Sequence, residues 1–186
     1  MEVLSWSFRL LSIILVFTVG LFPLRGDAED GLQLYEQQIK VGLLYNFLKY
    51  TQWPVQPSSM AVCVFGEDPF QGYLKPMAGR SVNQMEITVH FIHTAQETDT
   101  CNLLYINANE KKQWPSLKTS LAEKSVLTVS DFDGFAASGG MIEFGKKEEH
   151  VDVSLNMDAV SAAHMQVQDR LLKLVTVVHP SAAGGR

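Results

Sequence analysis

From Leu34 onward, apolar side chains recur three and four positions apart (Ile39, Leu43, Phe47, Tyr50; Val41, Leu44, Leu48), the period of a helix and not of a strand. The positions read as facing water, Gln38, Gly42, Lys49 and Gln52, fall within a stripe of roughly 80° at about 100° per residue, so the helix is predicted to be mostly buried. Pro54 lacks an amide hydrogen and restricts Trp53, which ends the helix near Gln52 or Trp53. Ala61 to Phe65 is an unbroken run of small apolar and β-branched residues closed by Gly66. That pattern is expected of a strand covered on both faces.

The remaining chain alternates between the two periods. Asp68-Pro69 opens a short helix with Phe70, Tyr73, Leu74 and Met77 on its apolar side, ended by Ala78-Gly79-Arg80. Glu86 to Ile92 and Cys101 to Asn107 read as strands, Glu110 to Glu123 as a helix carrying Trp114, Leu117 and Leu121, and Val126 to Val129 as a buried strand. Asp131 to Gly140 is turn-rich; Met141 to Phe144 and Val151 to Leu155 form a hairpin at one sheet edge. A last helical region carries Leu171, Leu172, Leu174, Val175 and Val178 before Pro180 stops it. This alternation predicts a single α/β domain: a mostly parallel or mixed sheet, covered by helices on both faces, with an antiparallel hairpin at one edge.

Residues 1–28 stand apart from that domain. Arg9 gives a weakly basic start, Leu10 to Val19 is apolar, and Gly26-Asp27-Ala28 offers small residues where a signal peptidase reads. A secretory signal cleaved after Ala28 is the expectation, leaving residues 29–186 as the exported domain, in the periplasm. An uncleaved anchor remains the alternative, although the apolar run is shorter than the ~20 residues a bilayer needs.

Composition narrows the function classes. With 46% hydrophobic and 19% charged residues the 186-residue chain has an ordinary globular balance, which excludes wholesale disorder. A net charge of −5 disfavours nucleic acid, whose binders carry a basic stripe. The two cysteines, Cys63 and Cys101, both fall in the exported part. In an oxidising compartment such a pair is expected to join, the alternative being two separate buried thiols.

Candidate chemistry is sparse. His90 and His93 form an HxxH, but residues three apart on a strand face opposite ways, so two exposed histidines are the simpler reading. Asp131 and Asp133 lack a third acid, nucleophile or base nearby and suit a turn better. No nucleophile elbow, phosphate loop, HExxH or dinucleotide fingerprint is present. The expectation is a protein without catalytic residues, metal or cofactor, which acts through its surface. Phe132 and Phe135 flank Asp133-Gly134, and a core role is the favoured reading for each, with an exposed anchor for a partner as the alternative; whichever of Phe132, Phe135 and Trp114 are exposed are the candidate partner-binding aromatics.

In order, Lys40-Val41-Gly42-Leu43-Leu44-Tyr45-Asn46-Phe47 with Trp53-Pro54, Cys63-Val64-Phe65-Gly66-Glu67-Asp68-Pro69-Phe70, Cys101-Asn102-Leu103-Leu104-Tyr105-Ile106, and Val126 to Asp131 through Gly134-Phe135-Ala136 and Gly139-Gly140-Met141-Ile142 resemble the YfiR family of periplasmic proteins. Leu155-Asn156 and Arg170-Leu171-Leu172-Lys173-Leu174 continue the match. The resemblance implies a non-catalytic regulator that binds the periplasmic sensor region of an inner-membrane diguanylate cyclase, restraining cyclic di-GMP output and biofilm formation. It also implies release through capture by an outer-membrane lipoprotein. A sensor kinase as partner, a small-ligand-binding role, and association with a second copy of the chain stay open. Cys63 and Cys101 match the family's disulfide positions, whereas a second bridge known in the family, in the region after the Gly pair, has no cysteines here.

Overall fold

The computed structural model describes residues 27–147 and 150–180. The expected leader up to residue 26, Glu148-Glu149 of the charged turn, and the tail from Ser181 lie outside the described residues. The chain divides into two compact units, Met1–Leu34 and Tyr35–Arg186. The first contributes only the opening turns of helix α1 (Asp27–Tyr50) to the description; the second holds everything that follows.

Within the second unit α1 buries Lys40, Leu44, Phe47 and Leu48, an i, i+4, i+7, i+8 stripe, while Gln38, Gly42 and Lys49 face water. The helix stops at Tyr50, slightly earlier than Pro54 alone requires, because β1 (Thr51–Gln52) pairs antiparallel with β9 (Gln166–Val167). Among the described residues the main sheet has the order β10-β8-β7-β6-β5-β2-β4-β3. Its strands are β2 (Met60–Phe65), β3 (Ser81–Val82), β4 (Met85–Ile92), β5 (Leu103–Ile106), β6 (Leu127–Ser130), β7 (Ile142–Lys147), β8 (His150–Asn156) and β10 (Thr176–Val178). Strands β4, β2, β5, β6 and β7 run parallel; β8 turns back antiparallel to β7.

Because side chains alternate along a strand, each central strand feeds two cores. Met60, Val62 and Val64 of β2, Leu103 and Tyr105 of β5, and Leu127 and Val129 of β6 join α1 in the larger core. Cys63, Phe65, Leu104 and Ile106 point the other way, into a smaller core closed by α2 (Trp114–Ser120) and the Asp131–Gly140 loop. Each fully buried Leu or Phe contributes about 1.5–3 kcal/mol relative to exposure. Helices thus cover both faces, and the α/β reading stands.

Three local expectations give way. Asp68 does start a turn, accepting the amides of Phe70 and Gly72 at 2.8 Å each, but Gln71 (φ 51°) and Gly72 (φ 88°) are left-handed. The segment therefore forms turns and one 3-10 turn, Lys75–Met77, and no α-helix. At the C-terminus the helical reading holds only for α4 (Asp169–Leu172). Beyond it the β-branched Thr176, Val177 and Val178 form β10, parallel to β8. The β7–β8 hairpin consequently lies one strand in from the edge, which β10 forms.

The disulfide joins Cys63, inside β2, to Cys101, just before β5, 38 positions further along the chain, with Cα atoms 5.8 Å apart. On chain-entropy grounds a loop of this size contributes roughly 4 kcal/mol. Asn102 locks the same spot: its Oδ1 accepts from the Ala61 amide (2.8 Å), and its own amide donates to the Ala61 carbonyl (2.9 Å).

Candidate functional site

The three aromatic residues singled out in the sequence lie together, but inside. Trp114 and Phe135 rings are 4.6 Å apart and Phe132 and Phe135 rings 5.0 Å apart, in tilted and edge-on arrangements. Phe135 is fully buried, and Trp114 and Phe132 are 5% and 6% exposed. None offers its ring to a partner in this conformation; for Phe132 and Phe135 the core role is the one the structure shows. Their surroundings explain why: Gly140 has no side chain where a Cβ would collide with the Phe135 ring. The indole Nε1 of Trp114 donates to Ser138 Oγ at 2.9 Å. The Lys111 ammonium lies 5.1 Å over the Phe132 ring and donates to the Asp133 carbonyl. The trio fastens the Asp131–Gly140 loop onto α2, in the core that also holds the disulfide.

On the opposite face is a buried charge cluster that sequence reasoning passed over. Lys40, 5% exposed, bridges Glu36 Oε1 at 2.8 Å and Asp131 Oδ2 at 3.2 Å and lies 5.9 Å from the Phe144 ring centroid. A lysine on the buried stripe of a helix must find acids, and that was the available signal. Asp131, expected only to shape a turn, supplies one; Asp133 stays exposed. Next to them the Tyr105 hydroxyl and Asp131 Oδ1 are buried with no hydrogen-bond partner in good geometry among the described residues. Burial first, and the Asp131 charge second, push the Tyr105 phenol well above its ordinary range, so it stays neutral.

A groove opens where α2, the Asp131–Gly140 loop and α3 (Met157–Ala162) meet. Its volume is about 490 Å³, within the range of small-ligand pockets. Trp114, Leu121 and Met141 form its floor, and alanines of α3 leave it unfilled.

His90 and His93 are both exposed, and His90 contacts Thr88 Oγ1 at 3.0 Å. Glu97 accepts from the Thr94 hydroxyl (2.7 Å) and from the His93 and Thr94 amides. These bonds, the hydroxyl first, hold its carboxyl below the usual range. Among the described residues no group of three or more metal-ligating side chains converges, and no helix is long and apolar enough to cross a membrane.

Comparison with known proteins adds two findings. A family profile described as YfiR/HmsC-like matches residues 37–176. A solved structure described as the ABC domain in complex with L-Trp from Streptococcus pneumonia superposes with a TM-score of 0.52 at 8% sequence identity. The match covers 77% of this chain and 60% of that one, and at this identity the likeness concerns the fold alone.

Proposed function

The chain belongs to the YfiR/HmsC-like family, a non-catalytic family of periplasmic regulators of cyclic di-GMP signalling, and from that premise we propose that it represses an inner-membrane diguanylate cyclase by binding its periplasmic sensor region. The family match over residues 37–176 carries this reading. The disulfide supports export, since such bonds persist in oxidising compartments. Residues 1–28 are the proposed cleaved leader. A fusion of residues 1–40 to alkaline phosphatase, active only when exported, is expected to be active; an inactive fusion would remove the compartment from the argument.

Repression by binding needs a difference in affinity between two sensor conformations. A preference of about 100-fold, roughly 2.7 kcal/mol, for the inactive one represses strongly. Trp114, Phe132 and Phe135 serve this reading by fixing the shape of the Asp131–Gly140 loop, not by inserting into the partner. An outer-membrane lipoprotein would relieve repression by competing for the chain. Deletion of the gene is expected to raise cyclic di-GMP and biofilm formation, restored by the wild-type chain. Unchanged cyclic di-GMP, with no membrane sensor recovered by periplasmic crosslinking, would sink the cyclase reading; recovery of a kinase would redirect it.

A further inference from the structure

We infer that the groove between α2, the Asp131–Gly140 loop and α3 is a binding site for a small apolar monocarboxylate, its chain on the Trp114–Met141 floor and its carboxylate on Lys118. The inference does not depend on the regulator reading, because it rests on the groove alone.

The space exists because the side chains that face it from α3 and its end, Ala159, Ala162 and Ala163, are too short to reach Trp114, Leu121 and Met141 across it. The interior polar groups are already committed. Thr128 Oγ1 accepts from the Met141 amide at 3.1 Å. Asn156 donates to the Ala136 carbonyl (2.8 Å) and accepts from the Ala159 amide (3.0 Å). Ser138 Oγ accepts from Trp114 and donates to the Phe135 carbonyl at 2.8 Å. With each of those groups holding at least one protein partner, a ligand's body meets a mainly apolar surface.

Lys118 is the exception. Its ammonium donates to the Ser138 carbonyl at 2.8 Å, and one such bond leaves two of its three N–H donors unused. Among the described residues it makes no salt bridge with any acid, unlike Lys40, Lys124 and Lys146. Lys118 is exposed, and its side chain lies over Gly139 (φ 98°), where a Cβ would collide with the ammonium. A cation at the rim of an apolar groove complements one negative head group. Asp158 also lines the groove, accepting from or pairing with His179 Nδ1 at 2.8 Å, and its carboxylate disfavours a second anionic group on the ligand.

The test uses the full mature chain with its disulfide intact and octanoate as the probe. Isothermal titration is expected to give one saturable site for octanoate, with octan-1-ol about tenfold weaker and octylamine weaker still. Lys118→Met should weaken octanoate about tenfold and leave octan-1-ol unchanged. Ala162→Leu, which fills the groove, should weaken both. Circular dichroism and thermal unfolding identify variants that remain folded, and Ala159→Leu replaces Ala162→Leu should the latter unfold. Absence of saturable octanoate binding, equal affinity for octanoate and octan-1-ol, or binding indifferent to both Lys118→Met and the groove-filling variant would each overturn the assignment.

Discussion

Under α1 the sheet packs against a long helix that is continuous with the larger core, and that face accommodates a buried lysine with two acids around it. The other face is covered, among the described residues, by the short helix α2, the 3-10 segment Ala95–Thr100 and a loop, and there a disulfide and a cluster of three aromatic rings take the place of helical mass. The difference teaches how cover and chemistry trade against each other. Where many apolar contacts already fix the chain, the desolvation of Lys40 is tolerated provided its partners are in place. Where contacts are fewer, the chain is pinned by a covalent bond and by large rings, each of which buries much area for little side-chain entropy. The groove opens where the smaller core runs out, between Leu121 of that core and Met141 of the larger one.

If the smaller face depends on its rings, Phe135→Ala carries the largest effect: about 3–5 kcal/mol in urea unfolding. Amide exchange should quicken selectively over residues 134–140, since the ring is what holds that loop. A loss below about 1 kcal/mol would mean that the loop is held by its hydrogen bonds instead. The disulfide comes next: Cys101→Ala should lose roughly 2–5 kcal/mol, and reductant should lower wild type toward the same value while leaving the variant unmoved. Free thiols in protein purified without reductant would break this half of the comparison.

How much of this was legible in the sequence follows the same division. The helix over Ile39 to Tyr50, the strands at Ala61–Phe65 and Val126–Val129, and the covering of both faces are written in local periodicity, because continuous apolar runs force burial whatever they meet. The left-handed pair Gln71-Gly72 was not legible: Asp68-Pro69 caps a helix and a turn equally well, and the decision rests on backbone angles no pattern records. Strand β10 was misread because Leu171 to Val178 fits a helical face as well as a strand, and the pairing of Thr176 with Ser154 is non-local. Among the site residues, Cys63 and Cys101 announced themselves by being the only cysteines in the chain. Lys40 did so only in part: its place on the buried stripe and Glu36 one turn before it were visible, but its other acid, Asp131, is 91 positions away.

On the larger face, Lys40→Met should lose about 1–3 kcal/mol, because Glu36 and Asp131 are partly exposed and recover some hydration when the cation goes. In a double-mutant cycle with Asp131→Asn the losses should fall short of additive, which an isolated surface pair would not give. Additive losses would show that the cluster is not a unit.

The smallest effect at neutral pH, and the most specific, belongs to Tyr105→Phe. The hydroxyl is buried without a hydrogen-bond partner in good geometry among the described residues, so its removal near pH 7 should change stability by no more than about 1 kcal/mol. Alkaline pH separates the two proteins. The phenol ionises in the unfolded chain near its ordinary pKa of about 10, whereas in the folded chain burial and the Asp131 charge hold it protonated above that. Below about pH 10 both states carry the proton and the group is silent. Above it, only the unfolded state gains by ionising, so native stability falls by up to about 1.4 kcal/mol per pH unit. Tyr105→Phe removes that contribution, and the gap between variant and wild type should widen steadily from pH 9.5 to 11.5 in urea midpoints. A parallel decline in the two proteins would mean that water or a local opening hydrates the hydroxyl, and that the larger face is less tightly closed over its charge cluster than the burial of Tyr105 implies.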